Sequence, residues 1–381
     1  MKKLYWRPQR VSRAALLIIS LVSVAGIAAT EAFLAKNRQP YYREKIAAAR
    51  LAARAMDVIK TERILRDLPV DSESDPAASG LIGELMSPVT SHTGYLQAKQ
   101  TSVNPNFAAV IVHELKKAGV NEGDVVAVGL TGSFPALNIA VCAALETLKV
   151  KPIAVASVAA SQWGANFPAL MWPDMEKVLF DKRVFSFRSV AASRGGVEDR
   201  GLGLSKEGRK LLDDSILRNG IRQLVVKSYD DSVEQRMMIY EEEAAGAPIK
   251  AYINVGGGTS SVGTRAGKKA FEPGLNLAPP HGSLPVDSVM SRFSHAGVPV
   301  IHLVRVDELA TRFGLPTQPM RMPAVGLGKV FMREEYNRWL AGAALLVIFA
   351  VMFAFIRMDL GFRILHTGQR GRPEAPPEQM V

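Results

Sequence analysis

Two uncharged apolar runs bracket the chain, Ala14 to Thr30 and Trp339 to Ile356, with about 300 mostly hydrophilic residues between them. They are 17 and 18 residues long and free of proline, at the short end of what a helix needs to cross roughly 30 Å of hydrocarbon. Two crossings return the chain to its starting side, so the intervening domain is expected to be held at a membrane by both ends. The leader Lys2, Lys3, Arg7, Arg10 and Arg13, with Gly26-Ile27-Ala28 as a small-residue site, also fits a cleaved signal peptide. Signal h-regions usually have only about 7 to 15 residues, however, so an uncleaved anchor is the expectation. Arg338, Trp339 and Arg357 lie at the boundaries of the second run, where interfacial anchors belong.

These features divide the chain into a basic cytoplasmic leader (1–13), a transmembrane helix (14–35), a basic stalk helix with its linker (36–76) and an α/β domain (77–330). A juxtamembrane segment (331–338), a second transmembrane helix (339–356) and a cytoplasmic tail (357–381) follow. Lys/Arg counts on the two sides of each span nearly balance. Short basic leaders nonetheless tend to stay in the cytoplasm while long domains translocate with little regard to charge. The expected topology therefore has both termini inside and the domain outside. The single cysteine, Cys142, excludes an internal disulfide framework without identifying the compartment.

The formal charge of +11 invites a polyanion-binding reading. Residues 1–30 and 31–66 each carry +5 and residues 357–381 carry +1, whereas residues 67–338 hold 29 Lys/Arg against 29 Asp/Glu. The excess is next to the membrane, which suits anionic headgroups rather than a nucleic-acid groove. No nucleic-acid partner is expected. Tyr41 to Arg66, rich in Ala and Arg, reads as a helix. Its positions Ile46, Ala49, Leu51, Ala53, Met56, Ile59 and Ile64 make no single stripe, so it reads as a solvated stalk, with Asp71 to Pro76 as a linker.

From Ala77 onward, short β-rich apolar runs alternate with helical stretches. Asn104-Pro105 reads as an N-cap followed by proline at the first helical position. Strands are expected at Val125–Val128, Ile153–Ser157, Phe187–Ala191, Gln223–Lys227, Ala251–Val255 and Val300–Val304. Helices are expected near Pro135–Leu148, Lys206–Arg218 and Tyr229–Ala245. This alternation implies a mainly parallel sheet with helices on both faces, and the runs are apolar on both sides of the pleat, as doubly covered strands must be.

Open parallel sheets bind ligands beyond the carboxyl ends of their strands, which singles out three loops. The first, Gly129 to Pro135, brings Thr131, Gly132 and Ser133 to the start of a helix whose free N–H groups suit a carboxylate or phosphate. It has neither Walker nor dinucleotide spacing. The second, Ser157 to Asn166, offers Ser161, Trp163 and Asn166 beside Gly164, with Trp163 equally suited to plug the core. The third, Gly256-Gly257-Gly258-Thr259-Ser260-Ser261, follows a strand directly, and three consecutive glycines are costly to order unless the loop wraps closely around something. An enzymatic alternative would use Ser133 or Ser261 as nucleophile with His281 as general base. His113-Glu114 lacks the second histidine of a zinc helix, and no Cys/His spacing fits a metal site, so neither metal nor cofactor is expected. His302, inside an apolar run, reads as a core histidine.

Taken together, Val128-Gly129-Leu130-Thr131-Gly132-Ser133-Phe134-Pro135-Ala136-Leu137-Asn138, Ser161-Gln162-Trp163-Gly164-Ala165-Asn166 and Asn254-Val255-Gly256-Gly257-Gly258-Thr259-Ser260 resemble the bacterial poly-γ-glutamate system proteins. The resemblance covers most of the chain, including both apolar ends. It implies an accessory membrane role in synthesis or export of that capsule or secreted polymer, with the polymer ligase and membrane components as partners and the glutamyl polymer as a ligand. It brings no catalytic residues. Trimming or transfer of the polymer, and sensing of a small anionic metabolite, are the alternatives.

Overall fold

Alternation in the central sequence becomes alternation in space in the computed structural model, which describes residues 13–263, 269–280 and 286–357. Among these residues the chain runs α1 (Arg13–Ala32), β1 (Ala35–Arg38), α2 (Tyr42–Leu65), β2 (Thr90–His92), α3 (Leu96–Ser102), α4 (Phe107–Lys117), β3 (Val125–Thr131), α5 (Pro135–Leu148) and β4 (Lys151–Ser157). Short strands β5 (Ala160–Ser161), β6 (Asn166–Phe167) and β7 (Leu170–Met171) lead to α6 (Trp172–Asp181), β8 (Ala191–Ser193), α7 (Lys206–Arg218), β9 (Arg222–Gln223), α8 (Tyr229–Ala244) and β10 (Ile249–Val255). Then come α9 (Thr259–Val262), β11 (Gly274–Asn276), α10 (Val289–His295), β12 (Val300–Leu303), α11 (Val306–Arg312), β13 (Met332–Glu335) and α12 (Arg338–Arg357).

Seven strands form the main sheet in the order β11-β12-β10-β3-β4-β8-β9. Every pairing is parallel except that of the edge strand β11 with β12. The sheet is therefore mixed. Because side chains alternate across a strand, Val126, Val128 and Leu130 of β3 enter one core with α2, α4 and α5. Val125 and Ala127 enter a second core with α8 and α10. Helices thus cover both faces, and the free thiol of Cys142 is buried in α5.

Two strands are displaced from their expected positions. Around Ser186 to Ser189 the backbone turns to side chains instead of a ladder: Ser186 N donates to Glu146 Oε2 (3.0 Å) and Ser189 N to Glu176 Oε1 (3.3 Å). β8 accordingly starts at Ala191. Beyond Gln223, Lys227 N is taken by the Asp231 carboxylate (2.7 Å), and the expected Gln223–Lys227 strand shrinks to β9. At α4, Asn104 Oδ1 accepts from Asn106 N (3.0 Å) as a cap would, but the α-helix itself begins at Phe107.

A solvated stalk does not fit α2. Lys45, Ala48, Ala49, Ala52, Ala55, Met56, Ile59 and Arg63 are buried along one helical face, with the four alanines fully covered. Alanine at these positions permits close approach to α4 and α5. Lys45 Nζ donates to the Val330 carbonyl (3.0 Å), and Arg63 Nη1 to the carbonyls of Gly80 (3.0 Å) and Ile82 (2.6 Å). The compact unit accordingly runs from Arg38 to Met332 rather than starting at Ala77. The expected linker is also built structure, since Asp75 accepts from the backbone N–H groups of Ser79 (2.9 Å) and Gly80 (2.8 Å).

A second unit comprises the described parts of Met1–Asn37 and Arg333–Val381. Its helices α1 and α12 are long and apolar enough to cross a membrane, by length and composition. They lie against each other: a Cβ on Gly26 would stand 3.2 Å from that of Ala344, a small-residue contact of the kind helices use to approach closely.

Candidate functional site

The chain steps from β3 outward through β4, β8 and β9, then returns to place β10 on the other side of β3. At such a reversal the loops leaving adjacent strands diverge and open a crevice at their carboxyl ends. Here the loops after β3, β4, β8, β10 and β12 surround a cavity of about 530 Å³. That lies within the ~300–1,000 Å³ of small-ligand pockets.

Seven of the residues expected in the three loops line this cavity: Thr131, Ser133, Ser161, Gly256, Gly257, Gly258 and Thr259. The first three are tied together. Thr131 Oγ1 accepts from Ser133 N (3.1 Å), and Ser133 Oγ accepts from Ser161 N (3.0 Å). Thr259 Oγ1 donates to the Gly196 carbonyl (3.3 Å), drawing the third loop toward a further glycine-rich segment. Gly132 is needed for close approach, not for an unusual backbone angle. A Cβ there would lie 2.2 Å from the Val158 carbonyl oxygen. Gly256, by contrast, has φ +75°, which favours glycine.

The other expected residues face away from the cavity. Trp163, at φ +58°, packs half-buried against the core. Asn166 is buried and spends its amide on the preceding loop, donating to the Glu84 carbonyl (2.8 Å) and Thr90 Oγ1 (2.9 Å) and accepting from Glu84 N (2.9 Å). Ser260 shares a hydrogen bond with Ser232 (2.7 Å), and Ser261 accepts from the Tyr252 hydroxyl (3.2 Å), both behind the loop. His281 lies outside the described residues. His302 is buried in β12, its Nδ1 3.0 Å from Asn254 Nδ2.

The most distinctive group was invisible in the sequence. Lys99, on α3, is 3% exposed and points its Nζ into the cavity wall, donating to Ser161 Oγ (2.7 Å) and to the Ser133 carbonyl. It also stands 4.0 Å from the centre of the Phe134 ring. Burial lowers its pKa from 10.5 to about 7, and no acidic neighbour opposes the shift. Asp199, on the far wall, is at φ +61° and accepts from Ser193 Oγ (2.6 Å), Ser232 Oγ (2.6 Å) and Arg236 Nη2 (2.9 Å). Arg236 Nη2 of this buried ion pair also donates to Ser157 Oγ (2.9 Å) and Ser193 Oγ (2.8 Å), and the pair anchors the segment containing Gly195, Gly196, Gly201 and Gly203, all at positive φ. That glycine density was the one sequence signal for Asp199.

Among the described residues no group of three His, Cys, Asp or Glu is placed to hold a metal ion. The chemically distinctive pair at the site is thus an amine of lowered basicity touching a hydroxyl. No protein-family model, curated protein or solved structure matches the chain.

Proposed function

We propose that the chain is a membrane-held accessory component of poly-γ-glutamate synthesis or export, working beside the polymer ligase and its membrane components, and that its α/β domain receives a glutamyl chain end. The observation that carries this reading is the convergence of five strand-end loops on one cavity lined by hydroxyls, glycine backbone, a buried lysine and Arg305, with the carboxylates of Asp199 and Asp307 also in its wall. A γ-linked glutamyl chain presents amides and carboxylates in regular alternation, and such a wall offers partners to both. The balance of 29 Lys/Arg against 29 Asp/Glu in residues 67–338 favours recognition of an end over tracking along a polyanion. The sequence resemblance supplies the polymer's identity, and the two apolar helices supply the membrane.

The same reading puts both termini in the cytoplasm and the domain outside. Protease added to intact spheroplasts then digests the domain, and protection until lysis would overturn that orientation.

The ligand is tested by isothermal titration of the full-length protein in detergent micelles with short γ-glutamyl peptides. Gly258→Leu is the informative variant, because Gly258 has φ −57° and a Cβ there meets nothing within 4 Å. The larger side chain takes up open space at the cavity wall without straining the backbone. Saturable binding by the parent protein, weakened about tenfold or more by Gly258→Leu, supports the reading. Absence of binding, or equal binding by the variant, defeats it.

A further inference from the structure

Resting on the reading that the cavity receives a glutamyl chain, we propose that Ser161 and Lys99 are a nucleophile and general base that cleave or transfer an amide-linked acyl group through an ester on Ser161. The geometry is that of an activated hydroxyl, with a base in hydrogen-bond contact and itself held by other groups. Lys99 Nζ lies 2.7 Å from Ser161 Oγ, which has no other hydrogen-bond partner among the described residues. The Ser133 carbonyl and the Phe134 ring fix the amine from its other sides. Ser161 is held by its backbone, through its N–H bond to Ser133 Oγ (3.0 Å) and the pairing of β5 with β2. Both side chains line the cavity.

An ammonium cannot accept a proton, so the base must be available as a free amine. Burial brings Lys99 to about 7, and no carboxylate holds the proton on it. As a neutral amine it keeps an N–H for the Ser133 carbonyl and turns its lone pair to the Ser161 hydroxyl. Serine–lysine pairs serve the role that histidine fills in other serine enzymes. In the first turn of α5, which starts next to Phe134 on the cavity wall, Pro135 carries no N–H and Asn138 N bonds to the Phe134 carbonyl (3.0 Å), so the N–H groups of Ala136 and Leu137 are the ones left without a partner within the helix at its positive end.

The reaction balances with water or an amine as the second substrate. Ser161 Oγ bonds to the amide carbonyl carbon while its proton passes to Lys99. The C–N bond then breaks, and Lys99 returns that proton to the departing amine. Water, giving a proton to Lys99, attacks the Ser161 ester; the bond to Oγ breaks, Ser161 is reprotonated, and a carboxylic acid leaves. An amine acceptor in place of water gives a new amide, hence chain transfer.

The test uses the full-length protein in detergent micelles with two probes. The activated ester p-nitrophenyl acetate reports the pair independently of any glutamyl specificity, and a defined γ-glutamyl oligomer reports the substrate. The expected result is an acetyl group on Ser161 by peptide mass spectrometry, formed at a rate that rises as pH climbs through about 7. Lys99→Arg, which retains the charge but cannot act as a base near neutrality, slows it ~100-fold or more. Shortened oligomers, absent with Ser161→Ala although that variant still binds the oligomer, extend the result to the substrate. No acetyl group on Ser161, an undiminished rate in Lys99→Arg, or an oligomer bound but left intact overturns the pair. Acetylation of Ser161 with no oligomer binding upholds the pair and overturns the glutamyl reading instead.

Discussion

Replacing Asn166 with alanine separates a structural clamp from a ligand contact. The amide is fully buried and makes three hydrogen bonds, two to the backbone of Glu84 and one to Thr90 Oγ1. The chain around Glu84 comes so close that a Cβ on Gly83 would stand 2.1 Å from Asn166 Oδ1, so no other side chain is placed to substitute. A buried hydrogen bond contributes a net of about 0.5–1.5 kcal/mol. Glu84 is exposed and water recovers part of its loss, and Thr90 Oγ1, though buried, keeps its contacts with Ser87 N (3.0 Å) and Ser87 Oγ (3.2 Å). The expected cost is therefore about 2–3 kcal/mol. Urea titration of the full-length protein, followed by tryptophan fluorescence, measures it as a lower midpoint at constant slope. Glutamyl binding measured well below that midpoint should be unchanged. A loss under about 1 kcal/mol, or abolished binding at unaltered stability, would refute the clamp and return Asn166 to the ligand.

The parts of the fold legible in the sequence are those where one local pattern decides the outcome. β3, β4, β10 and β12 were legible because strands covered on both faces are continuously apolar. The burial of α2 was not, because its buried face is alanine closed by Lys45 and Arg63, and these residues carry no hydrophobic signal. Among the loops, strand-end position located Thr131, Ser133, Ser161 and the glycines of the third loop. It did not give side-chain direction, since an irregular loop has no period, and so Asn166, Ser260 and Ser261 turned inward unannounced, while Trp163 took the core place its ring equally suited. Lys99 was the hardest case. Its partners lie 34 and 62 residues further along the chain, and only the fold joins the three segments.

Because α2 completes one core, a fragment beginning at Ala77 should fail to unfold cooperatively while one beginning at Arg38 retains a sharp transition; equal transitions in the two would show α2 to be dispensable. Glu176, buried and raised from 4.5 to about 7, keeps a proton when folded that it loses when unfolded. Its contribution to stability therefore falls as pH rises across that window. His113, lowered to about 4, slopes the opposite way over much of the range, so the Glu176 effect is read from the difference between wild type and Glu176→Gln; identical pH profiles would refute it. Lys99 works in the next window. Below about pH 7 it is charged in both states, and the folded state bears the cost of burying the charge. Between about 7 and 10.5 the folded protein has shed the proton while the unfolded chain retains it, so stability rises with pH. Lys45, lowered to about 8, slopes the same way, so the Lys99 part is read as the difference between wild type and Lys99→Met. The charge state also divides the two roles open to this amine. A glutamyl carboxylate gripped by Lys99 would restore its ammonium form, and binding at pH 8 would take up a proton. An amide presented to a neutral base would bind without proton uptake. Calorimetric titration of Ser161→Ala at pH 8 in two buffers of different ionisation enthalpy measures this directly. A full proton taken up per ligand would make Lys99 an anion anchor and exclude it as the base.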